Sequence, residues 1–375
     1  MKAITLIPGT KTVCLEDRTE PQITTDDEVK IKVWEVGICG TDREETSGGQ
    51  ATAPAGKQKL VIGHEMFGQV ETVGKLVKKV KSGDFGVFMV RRGCGECEAC
   101  LNSRSDMCYT GNYTERGIKG ADGFQAEYVV DKEEFLIKVP EAIKHLGVLT
   151  EPMSVAAKAI DEALGLQKAR LKDIMNQEKW LQGKRTLVAG TGAIGLLAAL
   201  ILRLKGAEVI GLDIVPEDSL RPQLLKQIGG TYVNGKLVKM QEIDKVFGQI
   251  DLIFEATGIA ELQFQLMEAL GINGIYVATG IPTGKRPISN ISADLMKQLV
   301  LKNQILLGSV NASYAHYEMA VEMLQQSYRK WPEVVNQLIT SRIPFEDFQT
   351  ALHQHDDDEI KVVVEWHKET KNSRV

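Results

Sequence analysis

The sequence predicts an α/β protein of two domains, a β-rich barrel or sandwich followed by a doubly wound parallel sheet of the Rossmann type. Its 375 residues exceed one ordinary core, since single domains run to roughly 100–200 residues. The amino-terminal part alternates β-branched and aromatic runs with turn residues. Beyond Pro152, strands alternate with helical segments around a glycine fingerprint, GTGAIG, which is the pattern of a parallel sheet covered by helices on both faces.

The β-rich part is read from VKIKVWEVGIC at 29–39, GQVETVG at 68–74, DFGVFMV at 84–90 and FQAEYVVD at 124–131. Between them Lys75, Lys78, Lys79 and Lys81 alternate with Leu76, Val77 and Val80, which suits a solvated strand or turn better than a patch for an anionic partner. SVAAKAIDEAL and the charged segment running to Trp180 have helical composition. RTLVAG then opens a strand–turn–helix unit, and EVIGLDI, QIDLIFEAT and GIYVATG continue the alternation. An amphipathic helix is expected around AHYEMAVEMLQQ, followed by a loop and the apolar strand KVVVEW; by periodicity alone this strand extends the Rossmann sheet or returns to the first domain. HQHDDDE at 353–359 reads as a solvated turn, with metal binding the less favoured alternative.

Composition excludes several classes. A chain 43% hydrophobic and 25% charged, with 45 basic against 50 acidic residues, is of globular type and gives no sign of nucleic-acid binding. The run from Leu187 to Leu204 is broken by glycines, Thr191 and Arg203 and is not expected to span a membrane. MKAITLIPGT lacks the pattern of a secretory signal or transit peptide. Four of the six cysteines fall between Cys94 and Cys108, which points to a metal site rather than a disulfide framework and to a reducing, cytoplasmic location.

In GTGAIG, spanning Gly190, Thr191, Gly192, Ala193, Ile194 and Gly195, the first glycine permits a tight turn and the second a close approach to a pyrophosphate. The third allows close helix packing, and the helix amino terminus supplies amide donors. Asp213 ends the next strand near the expected spacing of about 20 residues, where an acid accepts from ribose hydroxyls and repels a 2′-phosphate. No arginine follows it before Arg221, so NAD is favoured, with NADP possible. Cys94, Cys97, Cys100 and Cys108, spaced C-x2-C-x2-C-x7-C, offer four thiolates for a closed structural zinc site. An iron–sulfur cluster is the competing use of such a set, and the wide last spacing favours zinc. Cys39, His64, Glu65 and Glu151 offer sulfur, nitrogen and oxygen from separate segments, a set that suits an open catalytic zinc.

In order along the chain, GICGTD at 37–42, GHE at 63–65, the glycines and valines between Val70 and Asp84, the four-cysteine lobe, Glu151-Pro152 and GTGAIG resemble the zinc-containing medium-chain alcohol dehydrogenase family. The resemblance implies a GroES-like β-barrel catalytic domain over 1–164 and 314–375, with a zinc lobe at about 91–110, interrupted by a Rossmann domain over 165–313. RRGCGEC at 91–97, ERGIKGADGF at 115–124 and DEIKVVVEW at 358–366 are most similar to the archaeal-type glucose dehydrogenase branch. By that similarity Glu115 would bind sugar hydroxyls, Thr41 and Asn311 would line the substrate or nicotinamide site, and Thr279, Ser309 and Lys361 would meet the cofactor. Glu65 and Glu151 would ligate the zinc or act beside it. Val90 stands where those enzymes carry a sugar-binding asparagine, and this leaves the sugar open.

The implied reaction moves a hydride from a sugar hydroxyl to NAD(P), giving a lactone when the donor is an aldose, with Thr41 passing the proton outward. A polyol, secondary-alcohol or threonine dehydrogenase is the alternative within the same chemistry, and a non-catalytic nucleotide sensor the alternative outside it. The resemblance also implies a homodimer or homotetramer.

Overall fold

The computed structural model describes residues 1–172, 179–282, 293–354, 356 and 358–367. Residues 173–178 of the charged segment before Trp180, and His355 and Asp357 of the acidic turn, lie outside the described residues. The chain divides into two compact units: one holds Met1–Ser154, Asn311–Gln325 and the chain from Asn336 onward, the other Val155–Val310 and Gln326–Val335.

In the first unit the central strand is Glu28–Ile38. It pairs antiparallel with Glu65–Val73, Tyr128–Lys132 and the late strand Lys361–Glu365, so KVVVEW joins the β-rich unit and not the Rossmann sheet. Phe85–Phe88 with Leu136–Val139 extends the sheet beyond Glu65–Val73, and Ile339–Pro344 extends it beyond Lys361–Glu365. Val29, Ile31, Val33 and Val36 are each fully buried, and Trp34, Phe67 and Phe85 pack edge-on and stacked at 5.0–6.1 Å between centroids. Burying these aromatics and branched chains supplies the main driving force for packing the sheet. The lysine-rich segment at 75–81 forms a turn.

Among the described residues the second unit holds six parallel strands. In space they run Thr231–Asn234, Glu208–Asp213, Arg185–Ala189, Ile250–Glu255, Leu270–Ala278 and Ile305–Gly308, the order 3-2-1-4-5-6 of a dinucleotide-binding sheet. Ile250–Glu255 is buried at every position, as a central parallel strand covered on both faces requires. Leu187, Ile210, Leu212, Ile253 and Tyr276 belong to one core cluster. No helix among the described residues is long and apolar enough to cross a membrane.

Candidate active site and cofactor loop

Cys39 follows the central strand and caps the helix Gly40–Thr46. The Asp42 carboxylate accepts the Cys39 backbone N–H at 2.8 Å, the reciprocal arrangement that fixes a helix start and with it the direction of the thiol. Thr41 follows, its hydroxyl 3.9 Å from the Cys39 Sγ. His64 and Glu65 lie at the start of Glu65–Val73, beside Gly37 in the ladder. One ligand atom each from Cys39, His64 and Glu65 falls within 4.8 Å of the others. Zinc bonds of about 2.0–2.3 Å need ligand atoms roughly 3.3–3.8 Å apart, and the mixed donor set is one zinc accepts, so the cluster fits the ion with a position to spare.

The surroundings of the cluster are charged and buried. His64 Nδ1 faces Asp42 Oδ1 at 3.4 Å, leaving Nε2 as the free ligand nitrogen in the carboxylate–histidine pattern that orients metal-binding rings. Burial opposes charge on His64, but Asp42 and Cys39 outweigh it and hold the imidazole well above its ordinary pKa in the metal-free protein. A metal must therefore displace a proton there. Lys361 Nζ donates to both Glu65 oxygens at 2.8 and 2.6 Å and to the Ile38 carbonyl at 3.2 Å. The pair is 4% and 1% exposed, which makes it one of the most enclosed charge pairs of the unit. Burial pulls the lysine down and Glu65 lifts it, with the net shift upward.

Gly37 makes room for this pair, since a Cβ there would sit 2.1 Å from Glu65 Oε2. Glu151 opens the helix Thr150–Arg170, outside the 4.8 Å cluster. Burial first, and the Glu65 charge second, push its carboxyl up to about 7.

Glu115 lies on the short strand Thr114–Arg116. Its Oε1 accepts from Arg91 Nε at 3.1 Å, Arg91 Nη2 at 2.9 Å and Asn311 Nδ2 at 2.8 Å. Asn311 holds a left-handed backbone, φ +60°, while its own Oδ1 accepts the Ala312 N–H. Val90 is buried.

In the lobe, the four cysteine sulfurs fall within 4.8 Å of one another, and Cys94 and Cys100 stand 3.8 Å apart. That is about the edge of a tetrahedron with 2.3 Å zinc–sulfur bonds. The Thr110 hydroxyl and the Cys94 backbone lower Cys108 to about 6, so this thiol gives up its proton readily, while burial pushes Cys100 up to about 12.

In the second unit Gly190 has φ +86°, and a Cβ on Gly195 would meet the Gly190 carbonyl at 1.7 Å, so both glycines are sterically required. A Cβ on Gly192 would meet nothing within 4 Å, which leaves that backbone open to a ligand. Ala193 and Ile194 start the helix Ala193–Leu204. Asp213 Oδ2 accepts from the Thr191 N–H at 2.8 Å and hydroxyl at 2.7 Å, and Oδ1 from the Ile214 N–H, so the acid also braces the loop. Arg221 stands 3.8 Å from it. Thr279 donates its hydroxyl to the Glu255 carbonyl, and Ser309 carries a buried hydroxyl with no partner among the described residues.

Two residues were not singled out from the sequence. Asp42 was within reach as the acid three positions past a helix cap. Arg91 was visible only as one of a basic pair, because its partners lie 15 and 24 residues away.

The family of the alcohol dehydrogenase GroES-like domain matches residues 25–141, and that of the glucose dehydrogenase C-terminus matches 144–366. A glucose 1-dehydrogenase of Methanocella arvoryzae is 37% identical over 97% of this chain and 99% of its own length. Glucose 1-dehydrogenase 2 of Vulcanisaeta moutnovskia is equally similar over the same shares. The glucose dehydrogenase of Haloferax mediterranei, solved with NADP, zinc and gluconolactone, superposes with a TM-score of 0.87 at 29% identity, over 98% of this chain and all of that one. Agreement of this extent, running through both units, makes the chain a member of the glucose dehydrogenase family of zinc-containing medium-chain dehydrogenases.

Proposed function

We propose that this protein is an aldose 1-dehydrogenase, which takes a hydride from the anomeric carbon of a sugar to NAD(P) and leaves the lactone. The observation that carries the reading is the largely enclosed cluster of Cys39, His64 and Glu65, which brings three ligand atoms together among the described residues. Cys39, His64 and one of the carboxylates Glu65 and Glu151 would hold a zinc ion, which would supply a Lewis acid for a substrate hydroxyl.

The chain's own groups do the rest. Thr41 takes the hydroxyl proton and passes it outward. Glu151, buried and raised to about 7, accepts a hydrogen bond from substrate or water near neutral pH. Glu115, with Oε1 filled by Arg91 and Asn311, turns Oε2 to a sugar hydroxyl. Gly190, Thr191, Gly192, Ala193, Ile194 and Gly195 cradle the pyrophosphate, Asp213 takes the ribose, Ser309 and Asn311 lie along the nicotinamide, and Thr279 and Lys361 belong to the cofactor site, Lys361 through the Glu65 carboxylate that its ammonium holds. Asp213 favours NAD; its neighbour Arg221 leaves NADP accommodated.

A polyol substrate is the second reading, supported by Val90, which can neither give nor accept a hydrogen bond to a hydroxyl. Initial rates with NAD and NADP on glucose, galactose, xylose, sorbitol, xylitol and threonine, with a chelated control, separate the two. Chelator-sensitive turnover of an aldose supports the first reading, and turnover of polyols alone replaces it with the second. We further propose a cytoplasmic homodimer or homotetramer, in keeping with six free cysteines and the family resemblance; sedimentation gives the assembly.

A further inference from the structure

We propose that Arg91 is a positioning residue that carries the geometry of the cysteine lobe into the substrate site, by holding Glu115 in its hydroxyl-reading orientation. The proposal rests on the reading of Glu115 as a sugar contact. Arg91 and Glu115 are directly opposed in the antiparallel pair Arg91–Arg92 with Thr114–Arg116, which puts both side chains on one face.

The Arg91 side chain is 7% exposed, and its three nitrogens are divided between two structures. Nε and Nη2 both donate to Glu115 Oε1, at 3.1 and 2.9 Å. Nη1 donates to the backbone carbonyl of Asp106 at 2.7 Å, two residues before the lobe cysteine Cys108. Asp106 is itself fixed by the Arg104 guanidinium at 2.9 and 2.8 Å. The Tyr113 ring lies 3.9 Å under the Arg91 guanidinium and holds its plane.

Because Oε1 already accepts from Arg91 and Asn311, Oε2 is the oxygen left for a ligand, and it is not among the enclosed atoms. The lobe thus does more than add stability: a rotation of its 106–108 segment moves the donor that sets the Glu115 carboxylate. A lysine at 91 keeps the charge but, lacking a planar fork, cannot serve both partners.

The test is calorimetric titration of D-glucose into the zinc-loaded enzyme, with steady-state kinetics on the fastest aldose, for wild type, Arg91→Lys, Glu115→Gln and the double variant. Arg91→Lys is expected to weaken sugar binding and raise its KM about tenfold, the scale of one charge-assisted bond. The expected kcat stays within about threefold, and the KM for NAD and the zinc content per chain are unchanged. The double variant should be no worse than Glu115→Gln alone, because the two residues act as one unit.

A wild-type sugar KM in Arg91→Lys, or additive losses in the double variant, overturns the role of Arg91 alone. A wild-type KM in Glu115→Gln removes the reading of Glu115 and this proposal with it. Should Arg91→Lys not fold, Tyr113→Leu keeps both charges and removes the supporting ring. A several-fold rise in sugar KM then supports the proposal, and none refutes it.

Discussion

Replacing Lys361 by methionine should unbalance one of the most enclosed charge pairs of the catalytic unit. The ammonium donates to both Glu65 oxygens at 2.8 and 2.6 Å, with 4% and 1% of the two side chains exposed. Methionine preserves the stem and its packing but leaves Glu65 buried without a counter-charge, a change that costs about 3–5 kcal/mol when one partner of such a pair is removed. For a unit of this size, about 2–4 °C per kcal/mol, the melting temperature of the first unit should fall by roughly 6–20 °C. The loss should be larger in chelator than in zinc, because a dication beside Glu65 restores part of the missing positive charge. Adding Glu65→Gln to Lys361→Met should recover much of the stability, since it removes the stranded carboxylate. Differential scanning calorimetry of wild type, Lys361→Met and the double variant, with and without zinc, makes the comparison. A loss below about 1 kcal/mol, or no recovery in the double variant, would refute the view of the pair as an enclosed charge balance.

Three further outcomes follow from the geometry. Gly37→Ala places a Cβ 2.1 Å from Glu65 Oε2 and should cost about 1–3 kcal/mol by overpacking, with weaker zinc retention in competition against a chelator. Gly195→Ala drives a Cβ to 1.7 Å from the Gly190 carbonyl, so NAD affinity by calorimetry should drop at least about tenfold while both zincs stay bound. Burial alone would raise Asp131, but Arg92 at 2.7 Å and Arg116 at 3.6 Å hold it below the ordinary carboxyl range. Its contribution, about 1.5–3 kcal/mol, is present in full above the unfolded carboxyl pKa of about 3.9 and vanishes as pH falls through the lower folded value. Urea midpoints of wild type and Asp131→Asn should therefore differ by a constant amount from pH 7 to 5 and converge below about pH 4.

Much of this architecture is legible in the sequence because it depends on local rules. The strand–glycine–helix context of Gly190 to Gly195 specifies a backbone that only glycine adopts at 190 and tolerates at 195, and the alternation around it gives the parallel sheet. The spacing of Cys94, Cys97, Cys100 and Cys108 puts four thiols on one loop, close enough to share an ion. What depends on distant partners is less visible. Periodicity leaves the sheet of KVVVEW undecided, because the alternating pattern of a strand does not name its neighbour; the neighbour is Glu28–Ile38. The same holds for charge. The family resemblance gives Lys361 to the cofactor, and only the fold reveals that Glu65, 296 residues away, neutralises it. Asp213 has a second task, bracing Thr191, because an acid at a strand end meets whatever amides the preceding loop presents.

Cys39, His64 and a neighbouring carboxylate are expected to hold a catalytic zinc separate from a zinc in the cysteine lobe. The most direct test is the metal content, by mass spectrometry, of wild type and Cys39→Ala, taken alongside aldose turnover. Two zincs per chain are expected in wild type and one in Cys39→Ala, with turnover abolished and the fold retained. Retained turnover with one zinc fewer, or two zincs with no change in activity, would contradict it.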